Sequence, residues 1–201
     1  MERTYVNQLT DRVGELVRIV GFAENQREMG KITFVDLRDI TGKVQCVGYQ
    51  LMNDVTMESV IEIIGEVKQR PEKMINAQVQ NGSIEIEVQE YKLLSKAEGL
   101  PIMVNAKASN EAEVDVRLDY RWIELRKPEK LLIFKVWTEL ERAFMEYWTS
   151  NGYIEIHSPK LLGAPSESGA EVFEVNYFDR TAYLAQSPQF YKQMAMAAGF
   201  E

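Results

Sequence analysis

Cysteine and histidine are almost missing from this chain. Cys46 and His157 are the only ones in 201 residues. One cysteine closes no internal disulfide and builds no thiolate metal cluster, and one histidine gives no basis for a His-based zinc site. Long apolar runs are lacking too. No stretch approaches the roughly eighteen apolar residues that a membrane-spanning helix needs. The opening stretch "MERTYVNQLTDRVGE" is too polar for a secretion signal. These absences point to a cytoplasmic protein with no membrane partner and no metal site of its own. Positive charge is also in short supply, with 23 Lys and Arg against 31 Asp and Glu, for a net charge of −8. Phosphate contacts dominate nucleic-acid affinity, so the bulk charge argues against such a partner, although a local basic strip would suffice. What is present is a length of 201 residues, enough for one large or two small domains, and a hydrophobic content of 45% that can support their cores.

The first half alternates with period two. "LVRIVGFAEN" (16–25), "KITFVDLRD" (31–39), "GKVQCVGY" (42–49), "SVIEIIGEVKQRP" (59–71) and "SIEIEVQEYKLLS" (83–95) predict five strands. Thr41-Gly42 marks a turn, Gly65 a bulge or bend, and residues 51–58 a short helix. Five short strands with a helix before the fourth match the OB-fold, a small Greek-key barrel, and also a generic five-stranded barrel or sandwich.

The period is lost over 96–116, where Gly99, Pro101 and small acidic residues suggest a linker. Pro128 is placed to open a helix, and Leu132, Val136, Leu140, Phe144 and Trp148 recur at helical spacing up to the stop signal Asn151-Gly152. "YIEIHSP" predicts a strand ending at Pro159. A Gly/Ser/Pro-rich loop, "LLGAPSESGA", follows, and then two strands joined near Asp179-Arg180.

The last helix begins in "YLAQSPQFYKQM". Ser187 suits the N-cap and Pro188 the first helical position. Gln189 and Lys192 stand three apart on one face. As a pattern this is equally a capped surface helix with solvated polar groups. Glu167, on the Gly/Ser loop, reads by itself as a solvated glutamate. Glu167 and Lys192 together offer a carboxylate for an ammonium and an ammonium for a carboxylate, and an acidic amino acid presents both.

"YLAQSPQFYKQM", "SPKLLGAPSESGAEVFEV" and "RLDYRWIELRKPE" resemble aspartyl-tRNA synthetase of the archaeal and eukaryotic class IIb type. "NGYIEIHSPKLL" resembles the class II motif 1, and the resemblance covers nearly the whole chain. It implies an all-β OB-fold barrel for anticodon binding (1–95), a hinge (96–127), and the start of an α+β class II catalytic domain, an antiparallel sheet with helices (128–201). It implies that Glu167, Ser187, Gln189 and Lys192 bind L-aspartate, with Lys192 on the side-chain carboxylate and Glu167 on the α-ammonium. Ser168 stands where the family has glycine, which restricts that loop. Phe34 would stack on the central anticodon base, Gln45 and Glu85 would read its edge, and Arg27 and Lys31 would meet phosphates. Pro159 would lie at a homodimer interface, isologous by symmetry.

The same resemblance implies an ATP-dependent aspartate–tRNA ligase acting on tRNA-Asp, with tRNA-Asn left open. The motif 2 and motif 3 arginines and the Mg²⁺ ligands are expected beyond Glu201. No catalytic residue is then expected within 1–201, and these residues alone are expected to make no aspartyl-adenylate. Two other readings remain at this stage. One is a non-catalytic tRNA-binding module. The other is an amide-forming ligase that kept the aspartate pocket, and Phe34, Gln45 and Glu85 speak against it.

Overall fold

The computed structural model describes residues 1–77, 80–105, 111–165 and 171–200. These divide into two units, Met1–Pro128 and Glu129–Glu201.

The first unit is a closed barrel of β1 (Leu16–Met29), β2 (Ile32–Arg38), β3 (Lys43–Tyr49), β4 (Val60–Gln69) and β5 (Ile84–Ser95), in the order β1-β2-β3-β5-β4. All neighbours are antiparallel except β3 and β5. This is the OB-fold arrangement that the alternation suggested. Alternate side chains turn inward, so Val17, Ile19, Val35, Leu37, Ile61, Ile63 and Ile86 form one closed core. Each such burial stabilises by roughly 1.5–3 kcal/mol.

Two glycines allow close strand approach. A Cβ on Gly21 would lie 2.4 Å from the Arg38 carbonyl oxygen, and one on Gly65 would lie 2.5 Å from that of Glu87. At Gly65 the β4–β5 register shifts, as a bulge there requires.

Cys46 is fully buried in this core, and burial raises its thiol pKa far above the ordinary range. The thiolate is the reactive form. Cys46 is therefore expected to resist a thiol reagent such as DTNB in the native chain and to react at once in denaturant. Rapid native labelling would show that the barrel opens.

Residues 51–58 form turns, not the expected helix. Gln50, Met52 and Glu58 all have positive φ, between 54° and 64°, which a right-handed helix does not permit. The loop earns its place by other means, since Met52 and Val55 are buried under the barrel.

The stretch expected as a hinge carries two short helices, α1 (Val114–Asp119) and α2 (Arg121–Glu124). Ile102, Val104 and Ile123 make a small core there, with Leu100 and Val116 against it. A charged knot ties this stretch to the barrel. Glu58, 3% exposed at its side chain, accepts two hydrogen bonds from Arg38 at 2.9 and 3.0 Å and one from Arg126 at 2.9 Å. Arg126 also lies over the rings of Phe22 and Trp122, 4.4 and 5.2 Å from their centroids.

The second unit begins with α3 (Pro128–Ser150), then β6 (Leu161–Leu162), β7 (Glu174–Tyr177), β8 (Arg180–Leu184) and α4 (Gln189–Ala197). The three strands form a sheet in the order β6-β8-β7, antiparallel throughout. Residues 153–159, expected as a strand, have no regular structure. Their apolar residues Tyr153, Ile154 and Ile156 are exposed, so no sheet partner covers the alternation there. None of the α3 side chains is buried, and Leu132, Trp137, Leu140, Phe144 and Trp148 are between 45% and 58% exposed. No helix among the described residues is long and apolar enough to cross a membrane.

Candidate functional site

The outward face of the barrel is set by register. Arg27 pairs with Phe34, and Phe34 with Val47. One rung along, Asn25 pairs with Asp36, and Asp36 with Gln45. Directly opposed residues in an antiparallel pair share a face, so these two rungs lie side by side. The β3–β5 register of Cys46 with Ile86 puts Glu85 beside Gln45.

Four residues expected from the sequence therefore meet. An Arg27 guanidinium N–H donates to Gln45 Oε1 at 3.4 Å, and Gln45 Nε2 donates to Glu85 Oε2 at 3.4 Å. The Arg27 guanidinium lies 5.9 Å from the Phe34 ring centroid. Phe34, Gln45 and Glu85 are each half-buried. Lys31, the fifth expected residue, sits exposed in the β1–β2 turn.

Other polar groups complete the site. Arg70 lies just past the end of β4, with Nε 3.4 Å from Glu85 Oε2 and a side chain 11% exposed. It continues the outward parity of Lys68, and extending that alternation by two residues would have found it. Lys43 reaches Glu24 at 3.1 Å. Asn81 adopts φ 55°, and its Nδ2 donates to the carbonyls of Val6 and Lys43, at 3.3 and 3.2 Å. The turn thus pinned closes one side of a pocket of about 160 Å³, lined by Arg27, Asp36, Lys43, Gln45, Arg70 and Asn81. A half-buried ring beside amide, carboxylate and guanidinium groups can stack on a planar base and bond to its edge. Arg27, Lys31, Lys43 and Arg70 bring cations to this face that could meet phosphates, although Lys43 and Arg70 are paired with Glu24 and Glu85.

In the second unit, Ser187 precedes α4 and its Oγ accepts the Gln189 N–H at 3.2 Å. The N-cap position itself is Pro188, one residue later than expected. Gln189 and Lys192 are exposed on the first turn of α4. Lys192 also borders an apolar cavity of about 1090 Å³ between the second half of α3, residues 153–156 and α4. Glu167, together with Ser168, lies outside the described residues. Pro159 is exposed, and the next residue, Lys160, accepts the Ala185 N–H at 2.9 Å, which sets the loop beside β8. Among the described residues there is no group of three or more His, Cys, Asp or Glu side chains placed to hold a metal ion.

Residues 113–201 match the family described as tRNA synthetases class II (D, K and N). Residues 17–94 match the OB-fold nucleic acid binding domain. The whole chain is similar to the aspartate–tRNA(Asp/Asn) ligase of Methanopyrus kandleri, 41% identical over 201 residues, covering 95% of this chain and 44% of the relative. It is 38% identical to the aspartate–tRNA(Asp) ligase of Picrophilus torridus, covering 99% of this chain and 46% of that one. Among solved structures, the asparaginyl-tRNA synthetase of Pyrococcus horikoshii complexed with asparaginyl-adenylate superposes with a TM-score of 0.83 at 28% identity, covering 98% of this chain and 45% of that one. The chain thus spans less than half the length of these relatives.

Proposed function

We propose that this chain is the anticodon-reading barrel and the first part of the catalytic domain of an aspartate–tRNA ligase. The observation that carries the proposal is the convergence of Arg27, Phe34, Gln45 and Glu85 on one outer face of the barrel. In this reading Phe34 stacks on the central anticodon base. Gln45 and Glu85 exchange their weak mutual bond for bonds to that base's edge, while Arg70 holds the Glu85 carboxylate in place. Arg27 and Lys31 meet phosphates.

In the whole enzyme the reaction has two steps. The aspartate α-carboxylate attacks the α-phosphate of ATP and releases pyrophosphate, and the tRNA's terminal ribose hydroxyl then takes the aspartyl group. ATP binds with Mg²⁺, which neutralises phosphoryl charge. In this reading the residues of this chain bind and orient the amino acid. Lys192 would hold the substrate's side-chain carboxylate, Gln189 and Ser187 would lie beside it, and Glu167 would hold its ammonium. Pro159 and α3 would lie at a homodimer interface, and the enzyme would work in the cytoplasm. The partners are tRNA-Asp, L-aspartate and ATP. The Asp/Asn naming of one relative keeps tRNA-Asn open as a second substrate.

The test is a titration of an Asp anticodon stem-loop against the 201-residue chain at fixed salt. Phe34→Ala is expected to weaken binding by about 1–3 kcal/mol, the usual worth of one base–aromatic stack. Equal affinity in a mutant that still folds would remove Phe34 from the site.

A further inference from the structure

One rung beyond Phe34 the outer face of the barrel turns apolar. Met29 pairs with Ile32, and Ile32 with Tyr49. Direct opposition puts all three side chains on the face that carries Arg27, Phe34 and Val47. They are 70%, 38% and 60% exposed. Their inward neighbours behave oppositely, for Thr33 and Gly48 are buried. Tyr49 follows Val47 by two residues on β3, so the two rungs are spaced by roughly 6.4–6.8 Å along the strand.

A barrel core does not use this rung, and its place is continuous with the site above. Arg27 borders it on the Phe34 side, and Lys31 lies in the turn between Met29 and Ile32. An aromatic ring on an apolar base, with cations on either side, suits an unpaired nucleobase and its phosphates.

We propose that Tyr49, backed by Met29 and Ile32, is a second stacking platform that takes the base next to the one stacked on Phe34. The inference rests on the anticodon reading proposed above and extends it from one base to two. A single ring can orient one base without fixing the direction of the strand. Two rings on successive rungs fix both, so Tyr49 would set which way the loop runs across the barrel. Stacking tolerates any base, so the platform adds affinity and register more than sequence choice.

The experiment titrates an Asp anticodon stem-loop against the 201-residue chain and its Tyr49→Ala, Tyr49→Phe and Phe34→Ala variants. A parallel set of stem-loops carries an abasic site on one or the other side of the central anticodon base. Tyr49→Ala is expected to weaken binding about five-fold or more, with Tyr49→Phe restoring it, because the ring and not the hydroxyl makes the contact. One of the two abasic stem-loops is expected to bind wild type and Tyr49→Ala equally, since the base that Tyr49 covers is then gone. If Tyr49→Ala binds every stem-loop as wild type does while Phe34→Ala is weakened, the second platform is overturned and the anticodon reading stands. If both variants bind as wild type, the anticodon reading falls and takes the platform with it. If Tyr49→Ala leaves RNA affinity intact but changes the oligomeric state in ultracentrifugation, the rung is a protein contact and the proposal is overturned.

Discussion

Glu58→Gln is expected to destabilise the first unit by about 3–5 kcal/mol, the usual cost of removing one partner from a buried ion pair. The Glu58 carboxylate bridges Arg38 on β2 to Arg126 after α2. Its side chain is 3% exposed, and those of Arg38 and Arg126 are 11% and 21% exposed, so water cannot replace it freely. Glutamine keeps the shape and removes the charge, and it avoids confusing that loss with backbone strain at φ 64°. Arg126→Met should cost less, because Glu58 keeps Arg38 and the methionine keeps packing on Phe22 and Trp122. Urea melts followed by Cys46 labelling measure the barrel directly. A shift below about 1 kcal/mol would place the knot among surface ion pairs, whose worth is that small.

This knot shows where sequence reading stops. The five strands were legible because one buried face imposes period two on each, and a slip by one residue would expose the whole row. Phe34, Gln45 and Glu85 were singled out by the resemblance alone, since the strand pattern by itself reads Phe34 as core packing and Gln45 as an ordinary exposed strand position. Glu58 was not legible. Its partners are 20 and 68 residues away, and nothing in local spacing records a pairing over that distance. The helix expected at 51–58 failed for a different reason. Propensity permits it, but the loop is held by Met52 and Val55 in the core and by residues with positive φ, so tertiary burial overrides local preference. At 153–159 the period-two pattern was real, yet alternation makes a strand only when another strand pairs with it. The segment 96–127 lost its period because its core is small, with three buried apolar residues among those described, and too short to show one.

The second unit was read mostly through resemblance, and Lys192 is its sharpest test. In a full-length enzyme, Lys192→Met is expected to raise the apparent KM for aspartate by roughly 10²–10³, with the KM for ATP little changed. Truncating one partner of an enclosed charge pair typically costs about 2–5 kcal/mol, much of it the penalty on the charge left behind. Here that charge is the substrate's side-chain carboxylate, and methionine keeps the length of the lysine stem while removing its ammonium. Lys192 is exposed among the residues described, at the edge of an apolar cavity whose other walls come from α3 and residues 153–156. An exposed ammonium would bind a carboxylate weakly, so the expected effect depends on further protein enclosing the first turn of α4. Aspartate-dependent ATP–pyrophosphate exchange separates the cases. A large rise confined to aspartate places Lys192 on the substrate. A rise shared by aspartate and ATP points to a misfolded helix. An unchanged KM for both leaves Lys192 as the solvated end of a surface turn, and the aspartate pocket must then be built from other residues.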